Sequence, residues 1–289
     1  MGATVAENLV GVMERLRGAA RKAGRDPSEI TLIAVTKSVD LKKIKEAVLS
    51  GLRVFGENYV QEALEKVKKA GDKTRKWHFI GHLQKNKVKY AVELFDVIHT
   101  VDSFELAAEI NKRAKKPIDI LIQVNISGEK TKHGVKAKDA VKLAREVAAL
   151  EKVRLRGLMA MPPYFENPEL SRPYFITLRR LAERINREHI PGVFLHDLSI
   201  GMSDDFDVAI EEGATMVRVG RAIFGAREEK PEEEPPGAKP AKKAAKKAKP
   251  AKKAVKKAVK KVKPAKKAVK KTTKKAAAKK TAKKRTKKS

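Results

Sequence analysis

The sequence predicts a single (β/α)8 barrel with a leading N-terminal helix, and three observations support this prediction. Short β-branched runs alternate with charged segments of helical periodicity, and the alternation occurs eight times. The strand runs are almost continuously apolar, which is typical of parallel strands covered by helices on their outer face. The body of the chain, about 225 residues, is close to the typical length of such a barrel, about 250 residues.

The leading helix is predicted over residues 3–23. Its apolar residues recur at the spacing of one helix face: Val5, Leu9, Val12, Leu16 and Ala19. Gly24 and the Asp26-Pro27 pair then end the helical pattern.

The eight strands are predicted at residues 30–37, 53–58, 76–81, 96–102, 119–125, 154–161, 193–201 and 215–225. Between them lie segments such as LKKIKEAVLSG and AKDAVKLAREVAAL, which carry charges on one face and aliphatic side chains on the other. A doubly wound open sheet is the alternative, because the same alternation of strand and helix also builds that fold.

The net charge of +32 is concentrated at one end of the chain. Residues 237–289 contain 26 Lys and Arg and no Asp or Glu, so the first 236 residues keep 41 of the 67 basic residues and all 35 acidic ones, a net charge of +6. We therefore predict a barrel over residues 1–227, an acidic, Pro-rich hinge over 228–237 and a Lys/Ala/Pro-rich tail over 238–289. The tail lacks core-forming residues and is predicted to be disordered. Its Lys-Lys pairs between prolines resemble the C-terminal domain of linker histones.

The composition excludes several kinds of site. The chain has no Cys, so it holds no disulfide, no thiolate metal site and no cysteine nucleophile, and a cytoplasmic location is expected. No run approaches the roughly 18 apolar residues of a membrane span, and the first residues do not form a signal peptide. No metal site is predicted, because the spacing of His78 and His82 on one strand separates them by roughly 13 Å.

Polar residues follow the predicted strands, where the functional groups of a (β/α)8 barrel lie. Lys37 directly follows the apolar run LIAVT, an environment that favours Schiff-base chemistry. A lone lysine at this point is also explained by a side chain that simply reaches solvent. The functional interpretation gains weight because candidate residues end the other strands too: Asn58, His82, Asp102, Asn125, Met161 and Ser199.

A phosphate site is predicted after the seventh and eighth strands, where barrels of this class typically bind phosphate. The segment SIGMSDDFDVAIEEG runs from a strand into a helix, and Ser203, Asp204 or Asp205 can cap its first turn. Gly220 and Arg221 in VRVGRAIFG offer backbone amides beside it. Small residues with free N–H groups at the start of a helix suit a phosphate monoester.

Taken together, these motifs resemble a known family. In chain order they are AVTK, FGENYVQE, WHFIGHLQKNK, HTVDS, VNISGEKTKHG, GLMAM, LSIGMSDDFDVAI and VRVGRAIFGAR. The set resembles the YggS/PROSC family of pyridoxal 5'-phosphate (PLP) homeostasis proteins over residues 3–227. That family is similar to the barrel domain of alanine racemase and related fold-type III PLP proteins. The tail is not part of the family pattern.

The resemblance implies a role for individual residues. It makes Lys37 the lysine that holds PLP as a Schiff base and Arg218 the partner of the pyridine nitrogen. It assigns the phosphate to Ser203, Gly220 and Arg221 with neighbouring backbone groups. It also implies that Asn58, Ser199 and Met202 line the pocket of the pyridine ring.

We therefore predict a PLP carrier that captures, buffers and delivers the cofactor without catalytic turnover. An Arg beside the pyridine nitrogen neither accepts a proton nor gives one up at neutral pH, so the nitrogen stays unprotonated and the cofactor is a weak electron sink. A similar racemase compensates with a Tyr from an extra domain, which has no counterpart here. A low-activity amino-acid racemase is the alternative, and a nucleic-acid binder with an incidental barrel is a third hypothesis.

The expected partners are PLP, apo forms of PLP-dependent enzymes as recipients, and nucleic acid. Dense positive charge without aromatic side chains predicts that residues 238–289 bind phosphates without reading sequence. The protein is therefore expected to lie in the cytoplasm and to associate with the nucleoid through this tail. A monomer is expected, because the second domain of the racemases is missing.

Overall fold

The chain forms a closed barrel of eight parallel strands in a computed structural model that describes residues 3–70, 74–129 and 131–226. The barrel strands are β1 Thr31–Val35, β2 Val54–Glu57, β3 Lys76–Phe79, β4 Val97–Val101, β5 Ile118–Asn125, β7 Val153–Met159, β8 Asp197–Ser199 and β9 Met216–Val219. A two-residue strand, β6 (Val135–Lys136), pairs with β5 outside the ring. The predicted hinge and tail lie outside the described residues.

Helices connect the strands. Those within the described residues are α1 Val5–Lys22, α2 Leu41–Leu49, α3 Val60–Ala70, α4 Val88–Leu94, α5 Phe104–Arg113, α6 Ala140–Ala148, α7 Arg172–Arg187, α8 Phe206–Glu211 and α9 Arg221–Phe224. Short 3-10 turns lie at Pro27–Glu29, Lys85–Lys87 and Pro168–Ser171. Across the described ranges, no helix combines the length and apolar character that a membrane crossing requires.

The pairing of the strands confirms the predicted barrel and rules out an open sheet. Successive barrel strands pair in parallel, β4 pairs with β5, and β9 pairs with β1, so the ring closes without a free edge. Each of the eight predicted runs matches one strand, and β5 and β7 begin one residue before the predicted position. The run at 215–225 also contains α9, because the strand ends before Gly220 and the chain turns into a helix there.

The run at 193–201 is mostly irregular, and only Asp197–Ser199 forms the strand β8. The backbone N–H and carbonyl of Leu195 form hydrogen bonds with a side chain and not with a neighbouring strand. Its N–H donates to Asn186 Oδ1 at 2.8 Å, and its carbonyl accepts from Asn186 Nδ2 at 3.0 Å. Because this side chain of α7 satisfies both groups, the segment before β8 does not need a neighbouring strand.

The leading helix α1 begins and packs as its sequence predicts. Thr4 and Glu7 form a capping box, in which each side chain accepts a hydrogen bond from the backbone N–H of the other. All five residues of the predicted apolar stripe are buried. Asn8 Nδ2 donates to the carbonyl of Ile223 at 3.0 Å, which ties α1 to α9.

The barrel interior contains apolar and polar groups. The main hydrophobic core lies between the sheet and the helices, whereas Ile33, Ile80, Leu121 and Met159 are buried outside that cluster. A Cβ on Gly56 would meet the side chains of Ile33 and Ile80, so this position faces the barrel axis. The interior also holds a hydrogen-bonded polar chain, which leads to the candidate site.

Candidate functional site

The predicted site residues lie on four neighbouring strands, β8, β9, β1 and β2, and in the turns that follow them. They are Lys37 after β1, Asn58 after β2, Ser199, Met202 and Ser203 at and after β8, and Arg218, Gly220 and Arg221 at and after β9. The fold therefore brings all eight to one arc of the ring. The site assignment itself remains a prediction.

Lys37 is half-buried, and the backbone on both sides of it is fixed. Its Nζ lies 5.1 Å from the centroid of the Tyr59 ring, a cation–π distance. Thr36 Oγ1 donates to Glu57 Oε1 at 2.6 Å. The N–H of Ser38, which adopts the left-handed conformation with φ +57°, donates to Glu62 Oε1 at 2.7 Å. The hydrogen bonds of Thr36 and Ser38 position Lys37 without using its amine, which contacts the Tyr59 ring.

A buried ion pair behind Lys37 supports this arrangement. Lys66 Nζ lies 2.9 Å from Glu57 Oε1 and 2.6 Å from Glu62 Oε1, and it also donates to the carbonyl of Thr36. Burial raises the pKa of the Glu57 carboxyl, and the positive charge of Lys66 opposes that rise. Sequence reasoning missed the pair. Its signal was a glutamate inside an apolar strand run together with Glu62 and Lys66 at helical i, i+4 spacing.

We expect Lys66→Met to destabilise the protein strongly, because it leaves the fully buried Glu57 without its cation. Removing one partner of a buried pair typically costs about 3–5 kcal/mol. Urea unfolding measures the loss. Lys69→Met is the matched control on the same helix, since Lys69 is exposed and, among the described residues, its ion pair is with the exposed Glu65 at 3.5 Å. Equal stability of both variants would contradict a structural role for the buried pair.

Arg218 lies buried inside the barrel and is held by carbonyl and hydroxyl oxygens. Its Nη1 donates to the carbonyl and the Oγ of Ser199, each at 2.6 Å, and its Nη2 donates to the carbonyl of Ala160 at 3.0 Å. Burial lowers the pKa of the Arg218 guanidinium to about 10, and the nearby Asp205 carboxylate opposes this shift. Arg218 therefore remains a cation at neutral pH.

Two buried histidines extend this polar chain through the interior. His78 Nδ1 lies 2.9 Å from His99 Nε2, and His99 Nδ1 lies 2.9 Å from Ser199 Oγ. Burial lowers the pKa of His78 to about 4 and that of His99 well below its usual range, so both rings are neutral at pH 7. Sequence reasoning did not connect these residues, because their contact requires closure of the barrel.

The turn after β8 is fixed by a buried carboxylate. Asp205 Oδ1 accepts from the N–H of Met202 at 2.7 Å, and Asp205 Oδ2 accepts from Ser171 Oγ at 3.1 Å. Asp205 occupies the N-cap position of α8, but its side chain makes no capping bond to the helix. The Asp205 carboxylate therefore stabilises the turn before α8, through the N–H of Met202, and does not cap the helix as the sequence predicted.

The turns after β8 and β9 meet at Ser203. The N–H of Ala222 donates to Ser203 Oγ at 3.3 Å, and the Arg221 guanidinium pairs with Asp204. Within the described residues, no hydrogen-bond acceptor faces the backbone N–H of Gly220 or Arg221. A hydroxyl and two free amides at one place have the chemistry of an anion site.

The other candidate strand ends occupy the half of the ring formed by β3, β4, β5 and β7. Asn125 shapes the loop after β5, since its side chain accepts from the N–H of Gly128 and donates to the carbonyls of Glu129 and Lys132. Met161 is exposed. His82 and Asp102 lie close to each other and to His133.

The fold and the motifs place the chain in a known class of barrel. Residues 12–228 match the family model described as the N-terminal domain of alanine racemase. Alanine racemase from Corynebacterium glutamicum shares this fold at a TM-score of 0.59 and 17% identity, covering 75% of this chain and 62% of that one.

More similar proteins narrow the class to a family. The pyridoxal phosphate homeostasis protein of Aquifex aeolicus (strain VF5) is 47% identical over 224 residues, which are 76% of this chain and 97% of that protein. The structure of PipY from Synechococcus elongatus PCC7942 with PLP bound is similar at a TM-score of 0.67 and 33% identity, covering 77% of this chain and all of that one. The chain belongs to the pyridoxal phosphate homeostasis protein family, as its motifs predicted.

Proposed function

We propose that the barrel binds PLP covalently through Lys37 and serves to capture, hold and release it. The observation that carries this proposal is a juxtaposition on the neighbouring strands β1 and β9: an amine on Lys37, a buried cation on Arg218, and the free amides of Gly220 and Arg221. These groups complement the aldehyde, the pyridine nitrogen and the phosphate of PLP. The PLP bound to the related PipY supports PLP as the ligand of this barrel.

Each residue has a distinct part in this proposal. When bound, PLP supplies an aldehyde that condenses reversibly with amines and a pyridine ring that acts as an electron sink. Lys37 provides the amine, and its fixed neighbours Thr36 and Ser38 keep that amine at the mouth of the barrel. Gly220 and Arg221 hold the phosphate through their N–H groups, with Ser203 beside them.

The hydrogen bonds and the charge of Arg218 support the role of a carrier. Its Nη1 and Nη2 are occupied by protein oxygens, while none of the described residues accepts from its Nε–H, which is left to hydrogen-bond the pyridine nitrogen. As a cation at neutral pH, Arg218 keeps that nitrogen unprotonated. The chain therefore weakens the electron sink on which amino-acid chemistry depends.

A low-activity racemase remains the alternative, because Tyr59 lies beside Lys37 and is half exposed. A panel of D- and L-amino acids incubated with the purified protein separates the two roles. A carrier leaves each enantiomer unchanged, whereas a racemase interconverts them.

We expect Arg218→Glu to let the pyridine nitrogen protonate, because a carboxylate accepts a hydrogen bond from the protonated nitrogen and a guanidinium cannot. PLP affinity should also fall, since the variant loses the contacts of Arg218 with Ser199 and Ala160. The 15N chemical shift of PLP labelled at the ring nitrogen, read with the absorption spectrum, is the measurement.

Arg218→Lys is the matched control, because it keeps the positive charge and should leave the nitrogen unprotonated. A ring nitrogen with the same shift in wild type and Arg218→Glu would show that Arg218 does not face it.

We further propose a three-part chain, with the barrel over 1–227, the acidic hinge over 228–237 and a tail over 238–289 that binds nucleic acid. The supporting observation is the charge distribution, 26 cations and no acidic residue from Gly237 onward. On this proposal the barrel supplies PLP to apo enzymes while the tail holds the protein near nucleic acid.

A further inference from the structure

His82, Asp102 and His133 form a cluster at the ends of β3 and β4 and in the loop after β5. One potential ligand atom of each residue lies within 4.8 Å of those of the other two. The two imidazole rings stack with centroids 3.9 Å apart and an interplanar angle of 14°. Both histidines are exposed and Asp102 is half-buried, so an ion in solution reaches the cluster directly.

The backbone of His82 is fixed by its neighbours. Thr100 Oγ1 donates to the carbonyl of Gly81 at 2.6 Å, which joins the end of β4 to the turn that carries His82. A Cβ on Gly81 would lie only 2.0 Å from the carbonyl oxygen of Asn58, so the chain runs too close to the backbone that follows β2 for any other residue. The position of His82 is therefore set by the barrel itself.

The backbone of His133 is anchored in a similar way. Its carbonyl accepts from Gln123 Nε2 at 3.3 Å. The next residue, Gly134, has φ +120°, and a Cβ there would lie 2.6 Å from the backbone nitrogen of Asn125. The loop thus lies directly against β5, and both histidines face Asp102 from anchored backbone. Ligands held on rigid elements lose little entropy when a metal binds.

We propose that His82, Asp102 and His133 bind a divalent transition-metal ion, with Zn²⁺ the ion expected to bind. Two imidazole nitrogens and one carboxylate oxygen, with the remaining positions left to water, form a typical three-ligand zinc set. Zinc bonds of about 2.0–2.2 Å place tetrahedral ligand atoms roughly 3.5 Å apart, closer than the 4.8 Å within which these atoms lie. To bind one ion, the two stacked rings turn about their side-chain torsions so that the lone pairs in their ring planes converge on it.

The donor atoms select the class of ion. Imidazole suits zinc, nickel and copper, whereas Mg²⁺ and Ca²⁺ take oxygen ligands, of which this cluster offers one carboxylate. Residues 238–289 contain no His, Cys, Asp or Glu and so add no competing ligand set. The proposal is independent of PLP binding, because none of its three ligands belongs to the proposed PLP site.

The test uses the full chain without an affinity tag. Calorimetric titration with Zn²⁺ should give one ion per chain, and Co²⁺ should give the visible absorption of a nitrogen- and oxygen-ligated ion. Asp102→Asn and His133→Ala should each weaken Zn²⁺ binding at least ten-fold, since the loss of even an outer-shell partner typically costs about 10–100-fold. His82→Ala combined with His133→Ala should abolish it.

His196→Ala is the matched control, because His196 is exposed, packs against Phe194 and lies at the opposite end of the barrel, before β8. It should bind Zn²⁺ as wild type does. Absence of Zn²⁺ binding to wild type, an unchanged affinity in Asp102→Asn and His133→Ala, or an equal loss in His196→Ala would each overturn the proposal. Thermal melting confirms that the variants are folded.

Discussion

Lys37→Ala should abolish covalent PLP attachment while the barrel stays folded. The Lys37 amine has a cation–π contact with Tyr59 and no ion pair with any described residue, so its removal costs the fold little. Thr36 and Ser38 keep their own hydrogen bonds to Glu57 and Glu62 in the variant. We expect a change in unfolding free energy within about 0.5 kcal/mol, as for surface substitutions.

Borohydride reduction followed by peptide mapping measures the attachment. In wild type the reduced cofactor should lie on the peptide that contains Lys37, and the variant should yield none. Lys42→Ala is the matched control, because Lys42 is exposed on α2 and should leave labelling unchanged. Excess PLP is removed by dialysis before reduction, so that the many surface lysines stay unlabelled. Specific labelling of any other lysine in wild type would refute the assignment.

The sequence was sufficient for the barrel because its periodicity reports burial directly. Each apolar run corresponds to one strand of the barrel, and the stripe of α1 forms a buried face. The segment 193–196 was misassigned because a single side chain, Asn186, satisfies the backbone of Leu195 nine residues further on, a contact that periodicity does not encode.

The candidate site shows the same division. Residues at strand ends could be predicted, because the fold class fixes where strands end. The hydrogen bonds of the two buried histidines could not be predicted. They join His78 on β3, His99 on β4 and Ser199 on β8, which meet only across the interior of the closed barrel. Lys66 was missed for a related reason: its two carboxylate partners lie on different elements, and only the packing of α3 on β2 brings them together.

The tail should bind duplex DNA through phosphates, and its removal should abolish that binding. Residues 1–227 carry 40 basic and 30 acidic residues, a net charge of +10 against +32 for the full chain, so a 1–227 truncation retains much less attraction for a polyanion. Residues 237–289 contain 26 cations and no aromatic side chain on which bases could stack. Affinity should therefore depend on counterion release, with a slope of about −0.9 per phosphate neutralised in a log–log plot against salt.

Binding of two unrelated duplexes of equal length, titrated with the full chain and with the 1–227 truncation at several salt concentrations, decides the matter. The full chain should bind both duplexes equally, because the tail presents charge and no groups that read base edges. If it neutralises six to ten phosphates, affinity should fall by about 10³–10⁵-fold between 50 and 200 mM salt. Saturating PLP should leave this affinity unchanged, since we expect no coupling free energy across the acidic hinge. Equal binding by the full chain and the truncation, or binding insensitive to salt, would show that the tail is not the nucleic-acid-binding element.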